Sequence, residues 1–277
     1  MAQKRWDRNE FFGHLAGMDE AQLKKMLWTL YWRGTAAQRE RIEGLVDPTL
    51  AEAKKREAHE APEAGRVLAE VREFATLARA GAYMARDRRV SPRERTRWRM
   101  TFRNLANDAV SSLKGDDVDS AESAVSIMVD LACEMWGHDL FRSEDPIEAA
   151  RFVVSDAVKA MWLRRRQQDP AEFVRRAPEQ LLRWESPSGW TRHGEGWTAE
   201  REQTLAEVAA ELLPTPDMWH QFAVNYIDVY NQWTQGVTDE REPDGFRGLS
   251  KRMGHWHNLL RERLAGSEDE HVLDGVP

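Results

Sequence analysis

Between Val67 and Met161 the apolar residues return every three or four positions, and the runs halt at glycine or restart at proline. A stripe with this period is buried only when the segment is helical and lies against another element. Val67, Val71, Phe74, Ala75 and Ala78 form one stripe, which stops near Gly81. Ser91-Pro92-Arg93-Glu94 opens the next helix with an N-cap, a proline at the first helical position and a glutamate at the third. Trp98, Phe102, Leu105, Ala109 and Leu113 line its inward side, up to Gly115. A third stripe runs from Ala121 through Met128 and Leu131 to Met135 and stops at Gly137. Asp145-Pro146 then starts a helix that reads as continuous, with Ala150, Val154, Ala157, Val158 and Met161 facing inward.

The punctuation of these four helices repeats. Gly81 and Gly137 lie 56 residues apart, and Pro92 and Pro146 lie 54 apart. This predicts two helical hairpins stacked side by side, an α-solenoid-like repeat, with a multi-helix bundle as the alternative. No strand pattern is present, so the expected fold class is all-α. The stretch with Gly-Ala-Tyr-Met (81–84) and Phe-Arg-Ser-Glu-Asp-Pro (141–146) resembles helical-repeat regions of uncharacterised actinobacterial proteins, some of which accompany SWIM-type zinc fingers. That resemblance implies a helical scaffold and brings no catalytic motif. The zinc-finger module itself needs cysteines, and Cys133 is the only one in the chain.

Around this block the organisation is equally helical. Residues 1–47 read as a helical hairpin. Asp19 caps a helix with the stripe Leu23, Met26, Leu27 and Leu30, Gly34 offers a left-handed stop, and Thr35 with Gln38 has capping-box spacing. Residues 48–61 are a charged helical connector and 62–184 the central repeat block. Residues 185–197, rich in Gly, Ser and Trp, read as a linker. Residues 198–265 form a C-terminal helical subdomain, and 266–277 an acidic tail short of apolar anchors. The twelve tryptophans fall mostly at helical positions, which predicts core roles.

Composition then limits function. The 277 residues carry a net charge of −7, with 41% apolar and 31% charged positions. Such a chain is neither disordered for want of apolar residues nor basic all over. No apolar run approaches the roughly 20 residues that cross a bilayer, and the start Met1-Ala2-Gln3-Lys4-Arg5-Trp6-Asp7 lacks a signal-peptide segment, so a cytoplasmic protein is expected. One cysteine excludes an internal disulfide framework and points to a small buried thiol.

Catalytic and metal chemistry find little footing. His255 and His257 are two apart on a helix and point away from each other, so they do not chelate one ion. Asp217 with His220 and Glu268 with His271 are the acid-x-x-His pairs, too few for a di-metal bundle. No metal or cofactor is expected. HEPN-type nucleases place four to six residues between an arginine and the histidine that follows it. Arg252 with His257 fits that spacing, as does Arg8 with His14, but 32 arginines and eight histidines supply such spacings by chance. Arg252 and His257 are the alternative catalytic pair, as charge stabiliser and base.

The strongest charge feature is residues 86–103, with Arg86, Arg88, Arg89, Arg93, Arg95, Arg97, Arg99 and Arg103 against Asp87 and Glu94, a local +6. A second basic stretch covers residues 159–176, and stacking of the repeats places both on one surface. At 100° per residue Arg95 falls on the apolar arc and Arg99 near its edge, so Arg95 is expected in a structural ion pair or helix-end contact. Arg86, Arg88, Arg89, Arg93 and Arg97 are expected to be exposed and to meet a partner, either an acidic protein segment or nucleic acid. The bland alternative is a solvated face paired with Asp116, Asp117, Asp119 and Glu122. The expected role is a non-catalytic helical scaffold or protein-interaction module in a bacterial multi-protein system. The alternatives are a nucleic-acid-binding protein using the Arg86–Arg103 ridge and a HEPN-like RNase.

Overall fold

The computed structural model describes residues 7–47, 61–81, 91–135, 146–185, 196–234, 249–267 and 270–275. They form twelve α-helices and a final 3-10 turn, with no strand among them, so the fold is all-α. The chain divides into two units, residues 1–60 and 61–277.

The first unit holds α1 (Arg8–Ala16), α2 (Glu20–Arg33) and α3 (Ala36–Val46). Each begins at a complete capping box, in which Asp7, Asp19 or Thr35 accepts the backbone N–H three residues on. α2 packs on α3 through the turn at Gly34. That glycine is extended, with φ −69° and ψ 155°, where a left-handed stop was expected. Its role is close approach: a Cβ there would stand 2.7 Å from the Leu30 carbonyl oxygen.

The second unit holds the core. α4 (Ala64–Arg79), α5 (Pro92–Ser112) and α6 (Val118–Met135) bury the three stripes read from the sequence. α6 is central, packing on α4, α5 and α8 (Val154–Gln168). α9 (Pro170–Trp184) lies against α8 and α11 (Pro216–Thr234), while α10 (Leu205–Glu211) bridges α8, α9 and α12 (Leu249–Leu264). Rings link the layers. Phe74, Trp98, Phe102 and Phe152 form one cluster; Trp162, Phe173, Phe222, Trp256 and Tyr226 form another.

Three expectations change here. The helix read as continuous from Pro146 is two, α7 (Pro146–Ala150) and α8, separated at Arg151, which adopts φ 53°. The break turns Phe152 inward onto Phe102, with ring centroids 5.4 Å apart, and buries Val153. It also makes the second hairpin unlike the first, whose α5 is unbroken over 21 residues. Secondly, residues 185–197 do not separate two cores, because α9 packs against α11 and one apolar cluster runs from Ala64 to Val272. Thirdly, the tail is anchored. Its 3-10 turn (Glu270–Gly275) packs on α11 and α12 and buries Val272. The connector between residues 48 and 60 lies outside the described residues.

Candidate interaction surface

The basic ridge divides once its helix is placed. Trp98 and Phe102 turn one face of α5 into the core, so Arg93 and Arg97 on the opposite face are exposed. Neither has an ion pair among the described residues. Arg95 and Arg99 are half-buried, and the pairing of Arg95 lies outside what the described residues show. Arg103 donates from Nε to the Ala150 carbonyl at 2.8 Å and from Nη2 to that of Ala149 at 3.2 Å, closing the end of α7. Arg86, Arg88 and Arg89 lie outside the described residues.

The side chains of the second basic stretch are committed to partners within the fold. Arg164 donates to the carbonyls of Leu113 and Gly115 at 2.8 and 3.0 Å, satisfying the end of α5. Arg166 does the same for Leu212 beyond α10, at 3.1 Å. Arg165 is buried and donates to Glu122 and Asp119 at 2.7 and 2.5 Å. Burial works against its charge, but the hydrogen bonds to the two carboxylates outweigh that and hold its pKa above the ordinary value. Glu122 also accepts from Gln180 Nε2 at 3.1 Å, and Gln180 in turn accepts from the Trp162 indole at 2.6 Å. Arg175 and Arg176 both donate to Glu172, whose pKa is drawn down to about 2, chiefly by the Arg175 hydrogen bond. Lys159 pairs with Glu211. Asp119 and Glu122 therefore serve α8 and α9, and neither pairs with a described arginine of α5.

The alternative catalytic pair is not brought together at a surface. His257 is buried, with Nε2 2.6 Å from the Tyr226 hydroxyl, and burial pushes its pKa down to about 4. The imidazole is neutral at pH 7 and shut away from any large substrate. Arg252 donates from Nη2 to the Leu182 carbonyl at 3.1 Å, near the end of α9. Burial raises the Cys133 thiol well above its ordinary pKa, which suppresses the reactive thiolate. The His220 and His271 rings approach to 6.3 Å. Asp217 is exposed, Glu268 lies outside the described residues, and no group of three metal-binding side chains forms among the described ones.

Most of the exposed large apolar side chains among the described residues lie on α1, α2 and α3, a surface that spacing alone does not single out. In α1, α2 and α3 no described side chain is buried. Leu27 and Leu30 of the expected inward stripe are exposed; Leu23 and Met26 are half-buried. Trp28 and Trp32, 59% and 71% exposed, occupy another side of α2, where Trp28 stacks on Trp32 and on Tyr31 at 5.9 and 5.7 Å. Leu45 and Val46 project from α3 and Phe11 and Phe12 from α1. Soluble proteins rarely leave so many large apolar groups on one small unit unless something covers them. The tryptophan spacing of i and i+4 opposite a leucine stripe is the signal that marks two apolar sides on one helix. A polar tie joins α2 and α3, the Tyr31 hydroxyl donating to Glu43 at 2.9 Å. That bond raises the Tyr31 pKa.

No family model matches the chain, and no curated protein or solved structure shows a significant likeness to it.

Proposed function

We propose that the protein is a non-catalytic helical scaffold, a protein-interaction module in a bacterial multi-protein system. The observation that carries this reading is the first unit, α1 to α3, in which no described side chain is buried while Phe11, Phe12, Leu27, Trp28, Leu30 and Trp32 are displayed. Exposed tryptophans supply large, rigid contact area at low entropic cost, as binding hot spots do. The second unit supports the reading in another way. Its arginines between residues 159 and 176 close helix ends and pair with carboxylates, which suits a rigid body that presents a surface. No described helix is long and apolar enough to cross a membrane.

A second reading, nucleic-acid binding, is favoured by the exposure of Arg93 and Arg97 on α5. The test is a full-length chain carrying a photo-crosslinking residue in place of Trp28, irradiated in native extract with and without nuclease. A protein adduct that persists through nuclease treatment is the expected result. An adduct that nuclease removes, and that Arg93→Glu with Arg97→Glu abolishes, would replace the scaffold with a nucleic-acid binder.

A further inference from the structure

We propose that the groove between α2 and α3 receives an acidic amphipathic helix of another protein, an inference that rests on the scaffold reading and gives its partner a chemistry. The groove has a volume of about 530 Å³, with Leu30, Ile42 and Leu45 among its lining and Arg33 and Arg41 beside them. Leu30 and Leu45 are 55% and 78% exposed, so the apolar lining is open to water. Neither Arg33 nor Arg41 has an ion pair among the described residues. Glu43, two residues on from Arg41, is engaged by the Tyr31 hydroxyl, and the side chain of Glu40 lies outside the described residues. An apolar trench with two uncommitted guanidiniums complements a ligand whose apolar side chains are flanked by carboxylates.

The walls specify the ligand's backbone. Both are helices, whose internal N–H and C=O groups are already paired, so an extended segment would find no strand edge to join. A helix brings its own backbone bonds and lays residues i, i+3, i+4 and i+7 into the trench, completing a three-helix layer. The small unit needs such a layer, because without it α2 and α3 have no core of their own.

Charge and geometry separate this occupant from two others. A second copy meeting the groove face to face would set the same patch on both sides, opposing Arg33 and Arg41 with their own equivalents. A bilayer surface would need one apolar side. Leu30 and Trp32 are two residues apart on α2 and so point about 160° from each other, which prevents both from entering one interface.

The experiment uses the full-length chain and two synthetic helical peptides with leucines at i, i+3, i+4 and i+7. One carries glutamates on both flanks of the stripe and the other carries lysines. Fluorescence anisotropy should show the glutamate peptide binding at least tenfold more tightly than the lysine peptide. Arg33→Glu with Arg41→Glu should reverse that order, and Leu45→Asp should weaken both; all three sites are exposed, and circular dichroism checks that helicity is kept. Equal affinity for the two peptides, or binding of neither at millimolar concentration, overturns the proposal. So does sedimentation as a dimer that Leu45→Asp dissociates, or binding to phosphatidylserine vesicles that the double charge reversal abolishes. If the two peptides bind equally or not at all while the Trp28 crosslink to a protein persists, the groove assignment falls and the scaffold reading stands.

Discussion

His257 sits against Tyr226 inside the second unit, and its environment makes stability depend on pH. Its folded pKa, about 4, lies below the ordinary value of 6.5, mainly because burial penalises the charged ring. Between those values the unfolded chain binds the proton and the folded chain does not. The contribution of His257 is therefore fully present above pH 6.5 and is lost as pH falls towards 4, by up to roughly 3 kcal/mol. Urea denaturation of the native chain should show stability falling across that window. His257→Gln should flatten the slope there, and an unchanged slope would mean the ring is not held neutral. Glu122 shows the other way a residue is constrained. It joins Arg165, Arg176 and Gln180 in one network, so its charge is paired where burial alone would expel it.

At the scale of elements, helix ends show a division between local and distant caps. α5 is capped from within its own first turn by Ser91 and Glu94. α8 has Val153 at its N-cap and no side-chain cap from its own segment. The buried carboxylate of Glu202, 48 residues away, accepts the N–H groups of Val154 and Ser155 at 2.6 and 3.0 Å. Glu185 likewise accepts the Ala206 N–H at the start of α10, at 2.6 Å. Together these distant caps hold three orphan donors and tie separate parts of the chain at once. Glu202→Ala should cost about 2–4 kcal/mol, since it strands buried N–H groups, whereas Ser91→Ala at an exposed end should cost about 1 kcal/mol. Chemical denaturation of the two variants measures the difference. Equal losses would mean that water replaces the Glu202 carboxylate.

For the molecule as a whole, the core residues begin at Ala64 and end at Val272, all within the second unit. A fragment starting at Ala61 should therefore unfold in one cooperative transition, with a Tm within a few degrees of the full chain. A peptide of residues 7–47 should be only partly helical in water, because helices of 9, 14 and 11 residues without a core are marginal. Calorimetry and circular dichroism test both statements. A fragment that loses cooperativity would show that the first unit stabilises the second.

Local spacing was enough to read the all-α class, the stripes of α4, α5 and α6, and the starts of α2, α3 and α5 at Asp19, Thr35 and Ser91. These depend on atoms within about four residues of one another, and a periodic stripe records which face must be covered. Part of the candidate surface was legible in the same way, as the stripe on α2, but its exposure was not. A leucine at position 30 reads alike whether its cover is another helix of the chain or a partner. Packing between distant segments makes the arginines from 164 to 166 close helix ends and bury an ion pair, breaks the helix at Arg151, and leaves Trp28 and Trp32 facing water while Trp98 and Trp162 do not. Each of those outcomes depends on a group dozens of residues away, or on a surface that is absent, and local spacing carries no record of either.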